Sequence, residues 1–167
     1  MGYLFEMNLY RIVPKLHARD LSGTGAQRFG GRWNPKGLAA VYTAETAPQA
    51  LLEYLPHFPG TCVPPDLMLV SINAPDTLSI EEITKKDLPA DWNAFPWPAS
   101  TVEVGRKWIS KLDSAALRVP SVMFPYGVAW NLVLNPAHDD YATIKIIEVT
   151  PLSLDSRLVD KFDGKTK

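Results

Sequence analysis

The chain has 167 residues, with 46% hydrophobic residues, 21% charged residues and a formal net charge of −1. This composition is typical of one globular domain, the near-neutral charge argues against direct nucleic-acid binding, and no apolar run approaches the ~18 residues of a membrane span. The single cysteine, Cys62, leaves no internal disulfide and no cysteine-based metal cage, and the N-terminus lacks a signal-peptide pattern. We therefore expect a soluble, cytoplasmic protein with a single domain over residues 1–167.

The first part of the chain holds two predicted strands on either side of a glycine-rich segment. Residues 8–13 have strand propensity and end at Pro14, and residues 38–43 form a second β-prone run. Between them, residues 14–37 contain five of the ten glycines, so neither a helix nor a regular strand is expected there. Arg11 is either an exposed arginine on an edge strand or an inward one that holds a phosphate or carboxylate.

A helix follows the second strand. Thr46 is expected to cap it, and Pro48 lies in its first turn, where a missing N–H costs little. Leu51 and Leu55 share one face of this helix at i, i+4 spacing. Glu53 lies off that apolar stripe, so the helical pattern by itself indicates an exposed glutamate.

The second part of the chain is predicted to hold four strands and a second clear helix. The strands are expected at residues 67–73, 117–124, 131–135 and 143–149. Capping-box patterns at Ser79–Glu82 and Ser100–Glu103 predict a short helix or turn and a helix to about residue 112. Pro120 indicates an edge or bulge, where Ser121 can be aimed toward a site. Five or six short strands and two clear helices without βαβ alternation predict an α+β fold with a mostly antiparallel or split sheet.

Three side chains of different chemistry recur at intervals of ten and eleven residues. Arg32 follows a glycine pair in a loop, Tyr42 lies in a predicted strand and Glu53 lies in a predicted helix. A loop cation, a strand aromatic and a helix carboxylate can converge at the mouth of one small sheet. Such a group could hold an anionic ligand and stabilise a cationic transition state.

Together with further short matches, these residues resemble the RES domain family, which is named for its arginine, glutamate and serine. The matching pieces run in order along the chain: Leu9–Arg11, Ser22–Gly25, Gly31–Pro35 with Gly37, Val41–Thr43, Ala50–Glu53, Gly105 with Trp108, Val119–Ser121, Asn131–Pro136 and Asp155–Leu158. The ordered set spans residues 9–158 and is specific. The domain core is accordingly expected at about residues 8–158, with a short tail at 159–167.

The resemblance implies a fold similar to that of ADP-ribosyltransferase toxins, with a site that consumes NAD as a substrate and needs no metal. By position, Arg32, Glu53 and Ser121 would be the three residues of the family name, and Tyr42 its usual aromatic residue. The catalytic group is therefore expected to be Glu53, Arg32, Tyr42 and Ser121. The residues expected to bind NAD are Arg11, Gly31, Arg32, Trp33, Asn34, Tyr42 and Asn135.

Each expected role follows from the charge that develops when the nicotinamide–ribose bond breaks. Glu53 would stabilise the cationic ribose, and Arg32 and Arg11 would hold the diphosphate. Tyr42 would offer a flat face to the cationic nicotinamide ring. Ser121 would orient Glu53 or bind the carboxamide.

The acceptor of the ribosyl group stays open. Water would make the protein a glycohydrolase, phosphate a phosphorylase, and a protein side chain an ADP-ribosyltransferase. Leu51 stands two residues before Glu53, where protein transferases of related fold often carry an acidic residue, and this favours a small acceptor. A non-catalytic binding module that acts through its antitoxin is a further alternative.

The resemblance also implies a biological setting. The protein would be the toxin of a bacterial type II toxin–antitoxin system that depletes cellular NAD and arrests growth. Its partner would be an Xre-type antitoxin that covers the active site, in a homodimer or a higher hetero-oligomer. Neither a membrane nor direct contact with nucleic acid is expected.

Overall fold

The computed structural model describes residues 6–58 and 64–162, with side chains described up to residue 159. Cys62 and the end of the predicted tail lie outside the described residues. The described strands and helices are β1 (Glu6–Pro14), α1 (Thr24–Phe29), β2 (Val41–Ala44), α2 (Ala47–Tyr54), β3 (Leu67–Pro75), β4 (Ile80–Glu82), α3 (Ala99–Lys111), β5 (Ala116–Pro120), β6 (Trp130–Leu134), β7 (Lys145–Pro151) and α4 (Ser156–Phe162). Short 3₁₀ turns occupy Lys15–His17, Leu55–His57 and Asp139–Thr143.

The strands form one sheet in the order β4-β5-β6-β2-β1-β3-β7. The β4–β5 pair is parallel, and the other paired strands run antiparallel. The predicted α+β class and the mostly antiparallel sheet are therefore confirmed. Within residues 6–58 and 64–162, no helix has the length and apolar character needed to cross a bilayer.

Both faces of the sheet are covered, and α2 and α3 pack on the same one, which we call the helical face. Ala50 of α2 packs with Ile12 and Ala44, while Trp108 of α3 packs with Val133. The opposite face carries a separate apolar cluster that includes Leu9, Val13, Val41, Val70, Ile72, Leu132 and Leu134. Because side chains alternate along a strand, each central strand contributes apolar residues to both faces of the sheet.

The glycine-rich segment contains a helix that the sequence analysis did not predict. α1 is short, and glycines flank it: Gly23 at its start has φ +72° and Gly30 at its end has φ +75°. Glycine adopts this left-handed backbone without steric cost. The glycines therefore end the helix at both sides and do not prevent it.

The cap predicted for α2 is present, because the Thr46 side chain accepts a hydrogen bond from the Gln49 amide at 3.3 Å. The two capping boxes predicted further along are absent. α3 begins after Pro98, and Ser100 donates instead to Asp91 Oδ1 at 2.8 Å. Long-range partners have replaced the local caps.

The predicted short helix or turn after Ser79 is a strand, β4, which pairs with β5. Ser79 Oγ accepts a hydrogen bond from the Ala115 amide at 3.0 Å. No bulge forms at Pro120, because β5 keeps a regular register with β6 to its end. The predicted edge is present locally, since β4 pairs only with Ala116–Arg118 and Pro120 lies beyond that pairing. Pro120 simply ends β5, and Ser121 follows it, fully buried.

Candidate active site

The carboxylate of Glu53 is held by three hydrogen-bond donors that all reach the same oxygen. Oε1 accepts from Gln49 Nε2 at 2.8 Å, Ser121 Oγ at 2.7 Å and Asn131 Nδ2 at 2.7 Å. Among the described residues, Oε2 accepts no hydrogen bond and is not enclosed. One oxygen is therefore anchored, and the other has no hydrogen-bond partner among the described residues.

The three donors come from three different elements. Gln49 precedes Glu53 by one turn of α2, so the two side chains lie on the same side of the helix. Ser121 follows the end of β5, where its hydroxyl also accepts the Phe124 amide at 2.9 Å. Asn131 stands on β6 opposite Ala44, whose side chain packs on the helical face. The sheet and α2 together thus fix the carboxylate.

Arg32 reaches the same region from the loop after α1. Its Nη1 donates to the Trp92 carbonyl at 2.6 Å and its Nη2 to the Ala94 carbonyl at 3.0 Å. Burial lowers the pKa of the Arg32 guanidinium, while the nearby Glu53 carboxylate and Tyr42 hydroxyl act to raise it. An arginine stays charged under such shifts, so a cation held by two backbone carbonyls acts electrostatically on the Glu53 carboxylate without forming an ion pair with it.

Tyr42 holds the loop that carries Arg32. Its hydroxyl donates to Asn34 Oδ1 at 2.7 Å and accepts the Trp33 amide at 2.9 Å. Burial raises the pKa of Tyr42, which keeps the hydroxyl protonated and able to donate. The Asn34 amide nitrogen lies within hydrogen-bond distance of three backbone carbonyls, that of Ala26 in α1 and those of Pro35 and Leu38 in the loop. This hydrogen-bond network sets the position of Arg32.

Two glycines allow the loop to pack this closely. A Cβ added at Gly31 would lie 2.5 Å from the Tyr42 hydroxyl, and one added at Gly105 of α3 would overlap the Trp33 carbonyl. Trp33 is 3% exposed and belongs, with Trp108 of α3, to the apolar cluster between α3 and the sheet. The loop is therefore clamped between β2 and α3.

The structure brings Arg32, Tyr42, Glu53 and Ser121 together on the helical face, but not every predicted ligand-binding residue joins them. Trp33, Asn34 and Asn135 are buried within the protein. Asn135 Nδ2 donates to the Ile109 carbonyl at 3.1 Å, and its Oδ1 accepts the Ala137 amide at 3.1 Å. Their side chains shape the protein and do not reach the free oxygen of Glu53.

Arg11 is also placed apart from this group. β1 is a central strand, so the edge-strand interpretation is wrong. Arg11 pairs with Val70, which belongs to the cluster on the face opposite α2, whereas the neighbouring Tyr10 packs on the helical face. Its Nη1 donates to the Asp20 carbonyl at 3.0 Å, and burial lowers its pKa. Arg11 therefore does not reach Glu53.

Sequence reasoning missed Gln49 and Asn131. The signal for Gln49 was its i, i+4 spacing to Glu53, which puts both on one side of a helix. The signal for Asn131 was a polar residue near the start of an otherwise apolar strand. Neither signal is specific until the fold brings residues 53 and 131 together.

A small pocket is lined by Gln49 but not by Glu53, Arg32, Tyr42 or Ser121. It has a volume of about 230 Å³ and lies between the start of α2 and the segment before β6, with a lining of Glu45, Thr46, Pro48, Gln49, Leu52, Phe124, Val128, Ala129 and Trp130. Gln49, which lines this pocket, also donates to Glu53 Oε1. Over the described ranges, no three His, Cys, Asp or Glu side chains gather as they would around a metal ion.

Comparisons with known proteins agree on one family. The RES domain model matches residues 8–155. The protein "Toxin Res" of Yersinia enterocolitica is 38% identical over 148 residues, which cover 88% of this chain and 95% of that protein. The "Prs ADP-ribosylating toxin" of a Sphingobium species is 39% identical over 146 residues, which cover 86% and 89%.

A third relative is known in sequence and in structure. The "NAD(+) phosphorylase MbcT" of Mycobacterium tuberculosis is 34% identical over 73 residues, or 43% of this chain and 39% of that protein. In the crystal structure of the M. tuberculosis MbcT–MbcA toxin–antitoxin complex, the matching chain superposes with a TM-score of 0.68 at 21% identity. The match covers 96% of this chain and 91% of that one. At this identity the structural likeness concerns the fold.

Proposed function

This chain belongs to the RES domain family, and we propose that it is the toxin of a bacterial toxin–antitoxin pair that cleaves NAD between nicotinamide and ribose. The observation that carries the proposal is the Glu53 carboxylate, with one oxygen fixed by three donors and the other without a hydrogen bond from the described residues, within electrostatic reach of the Arg32 guanidinium. Relatives named as an ADP-ribosylating toxin and an NAD(+) phosphorylase support NAD as the substrate.

The chemistry needs a fixed negative charge next to the ribose. When the cationic nicotinamide leaves as a neutral base, positive charge develops on the ribose ring. Glu53 Oε2 stabilises this charge in the transition state more than in the ground state, which is the condition for catalysis. Because the leaving group needs no proton, Glu53 acts as a carboxylate throughout.

Arg32 and Tyr42 bind the two ends of the reacting part of NAD. Arg32 spends one N–H of each terminal nitrogen on backbone carbonyls, so its remaining N–H groups can hold diphosphate oxygens. The Tyr42 hydroxyl is engaged in the loop, so its ring is the part that faces nicotinamide, with about 0.5–2 kcal/mol of cation–π attraction.

We assign a small acceptor, water or phosphate. Leu51 stands where an acidic residue would bind an acceptor side chain, and it packs instead against the apolar cluster of Ile12 and Ala44. The second candidate is transfer of ADP-ribose to a protein of the cytoplasm, which the name of the Sphingobium relative favours.

The partner would be an antitoxin of the Xre type that covers the site, by analogy with the toxin–antitoxin complex of similar fold. The segment after Ser121 exposes a group of large apolar side chains next to the site: Met123, Phe124, Tyr126 and Val128. Covering them would also close access to Glu53. We propose a single domain that assembles with the antitoxin as a homodimer or a larger hetero-oligomer in the cytoplasm.

Product analysis distinguishes the candidates. The purified protein, free of antitoxin, is mixed with NAD labelled in the adenosine part, with and without phosphate, and with a cell lysate. Free ADP-ribose identifies a glycohydrolase, and a phosphate-dependent ADP-ribose phosphate identifies a phosphorylase. Label on protein bands without free product would replace our assignment by the transferase. Absence of any product would refute NAD cleavage.

A further inference from the structure

We propose that Asn131 is a positioning residue that fixes Glu53 for catalysis. This role rests on the function proposed above, and Asn131 is not one of the four residues expected to be catalytic, Arg32, Tyr42, Glu53 and Ser121. Asn131 Nδ2 donates to Glu53 Oε1 at 2.7 Å across 78 residues of sequence. The contact joins the sheet to α2 at the carboxylate itself.

The chemistry of the two groups determines which end of the amide faces Glu53. An ionised carboxylate only accepts hydrogen bonds, so the Asn131 nitrogen must point at it and the oxygen must point away. The oxygen, Oδ1, is then buried without any hydrogen-bond partner, and it is the single described side-chain atom in that condition. The orientation that serves Glu53 is the one that leaves Oδ1 unsatisfied.

A buried acceptor without a partner lowers the stability of the folded state, because it has lost its water and gained nothing in return. An apolar side chain at position 131 would avoid this cost, and the neighbouring Leu132, Val133 and Leu134 of β6 are all apolar and buried. Packing at position 131 therefore does not require an asparagine, whereas the hydrogen bond to Glu53 does require one.

Three donors on one oxygen restrain the carboxylate more than one or two would. Gln49 moves with Glu53 because both lie on α2. Ser121 and Asn131 belong instead to the sheet, since Ser121 follows β5 and Asn131 lies on β6. Removing Asn131 leaves Ser121 as the single donor from the sheet side. The carboxylate can then rotate, and Oε2 loses its aim at the ribose, which costs rate and not substrate affinity.

The test uses three substitutions of one residue. Asn131→Ala removes the donor, Asn131→Leu also fills the space with apolar atoms, and Asn131→Asp keeps the size but replaces the donor by a second carboxylate. We expect kcat for nicotinamide release to fall about 10- to 100-fold in Asn131→Ala, as for a lost hydrogen bond to a charged group. KM for NAD should stay within about twofold. Asn131→Asp should be at least as impaired as Asn131→Ala, although its shape is unchanged.

A matched control separates position from packing. Thr43 lies on β2, and its buried hydroxyl donates to the Leu132 carbonyl at 2.8 Å. Thr43→Val should lower the unfolding midpoint by about 2–4 °C and leave kcat unchanged. Asn131→Leu should leave the unfolding midpoint within about 2 °C of the wild type, because it removes the unsatisfied oxygen. It should nevertheless reduce kcat, because it also removes the donor to Glu53.

A double substitution asks whether Asn131 acts through Glu53. In a Glu53→Gln background, Asn131→Ala should lower the residual kcat by less than about twofold, since the carboxylate it positions is gone. A wild-type kcat in Asn131→Asp, or equal losses in both backgrounds, would overturn the proposal while NAD cleavage stands. If the wild type releases no nicotinamide, the proposed function fails. In that case the positioning of Glu53 by Asn131 can still be tested by stability alone. It is refuted if Asn131→Leu lowers the unfolding midpoint as much as Thr43→Val does.

Discussion

Replacing Tyr42 by phenylalanine tests whether this residue acts through its hydroxyl or through its ring. Tyr42→Phe keeps the ring but removes the two hydrogen bonds that join β2 to the loop, those to Asn34 Oδ1 and the Trp33 amide. Both partners are buried, so each is left unsatisfied at about 1–3 kcal/mol. With partial relaxation we expect a loss of about 3 kcal/mol in unfolding free energy, or about 6–12 °C in the midpoint for a chain of this size.

Thermal unfolding and amide hydrogen exchange measure this effect. The midpoint should fall as stated, and the Trp33 amide should exchange faster than in the wild type, because it has lost its acceptor. Tyr126→Phe is the control, since Tyr126 is 75% exposed and should change the midpoint by no more than about 1 °C. An unchanged midpoint together with unchanged exchange at Trp33 would refute the view that the hydroxyl holds the loop.

Three further predictions concern the surroundings of the site. Gly105→Ala should lower the unfolding midpoint by on the order of 10 °C, because its Cβ would overlap the Trp33 carbonyl, whereas Gly25→Ala, with open space around it, should not lower it. Burial raises the pKa of Tyr141 to about 12, from about 10 when unfolded, so the unfolded state loses its proton first. Unfolding free energy should therefore fall between pH about 10 and 12, and by less in Tyr141→Phe, as followed by urea titration at each pH. Arg118→Lys should lower the midpoint of urea unfolding. Arg118 donates to the carboxylates of Glu45 and Glu82 and stacks on Trp130, and a lysine cannot reproduce all of these contacts. An unchanged midpoint would contradict this.

Local signals in the sequence were reliable where the partner is also local. The strands follow from their β-branched and apolar runs, and the cap of α2 follows from Thr46, because its partner is the amide three residues on. The same type of pattern failed at Ser79 and Ser100. There a donor or acceptor from a distant segment satisfies the hydroxyl, and no short-range pattern contains that information.

The candidate site shows the same division. Arg32, Tyr42, Glu53 and Ser121 could be named from a family resemblance, and the fold brings them to one face. The sequence could not predict which face of the sheet each side chain of β1 occupies. A central strand is covered on both faces, so apolar residues are buried whichever way the side chains alternate. The sequence alone therefore left both interpretations of Arg11 open, and the expectation that it binds NAD came from the family resemblance.

Asn131 belongs to one of the pieces that match the family, but its contact with the site could not be predicted, for a different reason. Its importance depends on a contact with Glu53 across 78 residues, and the strand around it reads as ordinary core. The unsatisfied oxygen that distinguishes it becomes visible only when its neighbours are in place.

The central claim is that Glu53 provides the charge that drives cleavage of NAD. Nicotinamide release by the purified protein is compared in the wild type, in Glu53→Gln and in Glu103→Gln, a change of an exposed glutamate on α3 that pairs with Arg106. The account predicts steady release by the wild type and by Glu103→Gln, and a rate lower by about 10² or more in Glu53→Gln with an unchanged unfolding midpoint. Equal release by folded Glu53→Gln and wild type would contradict it.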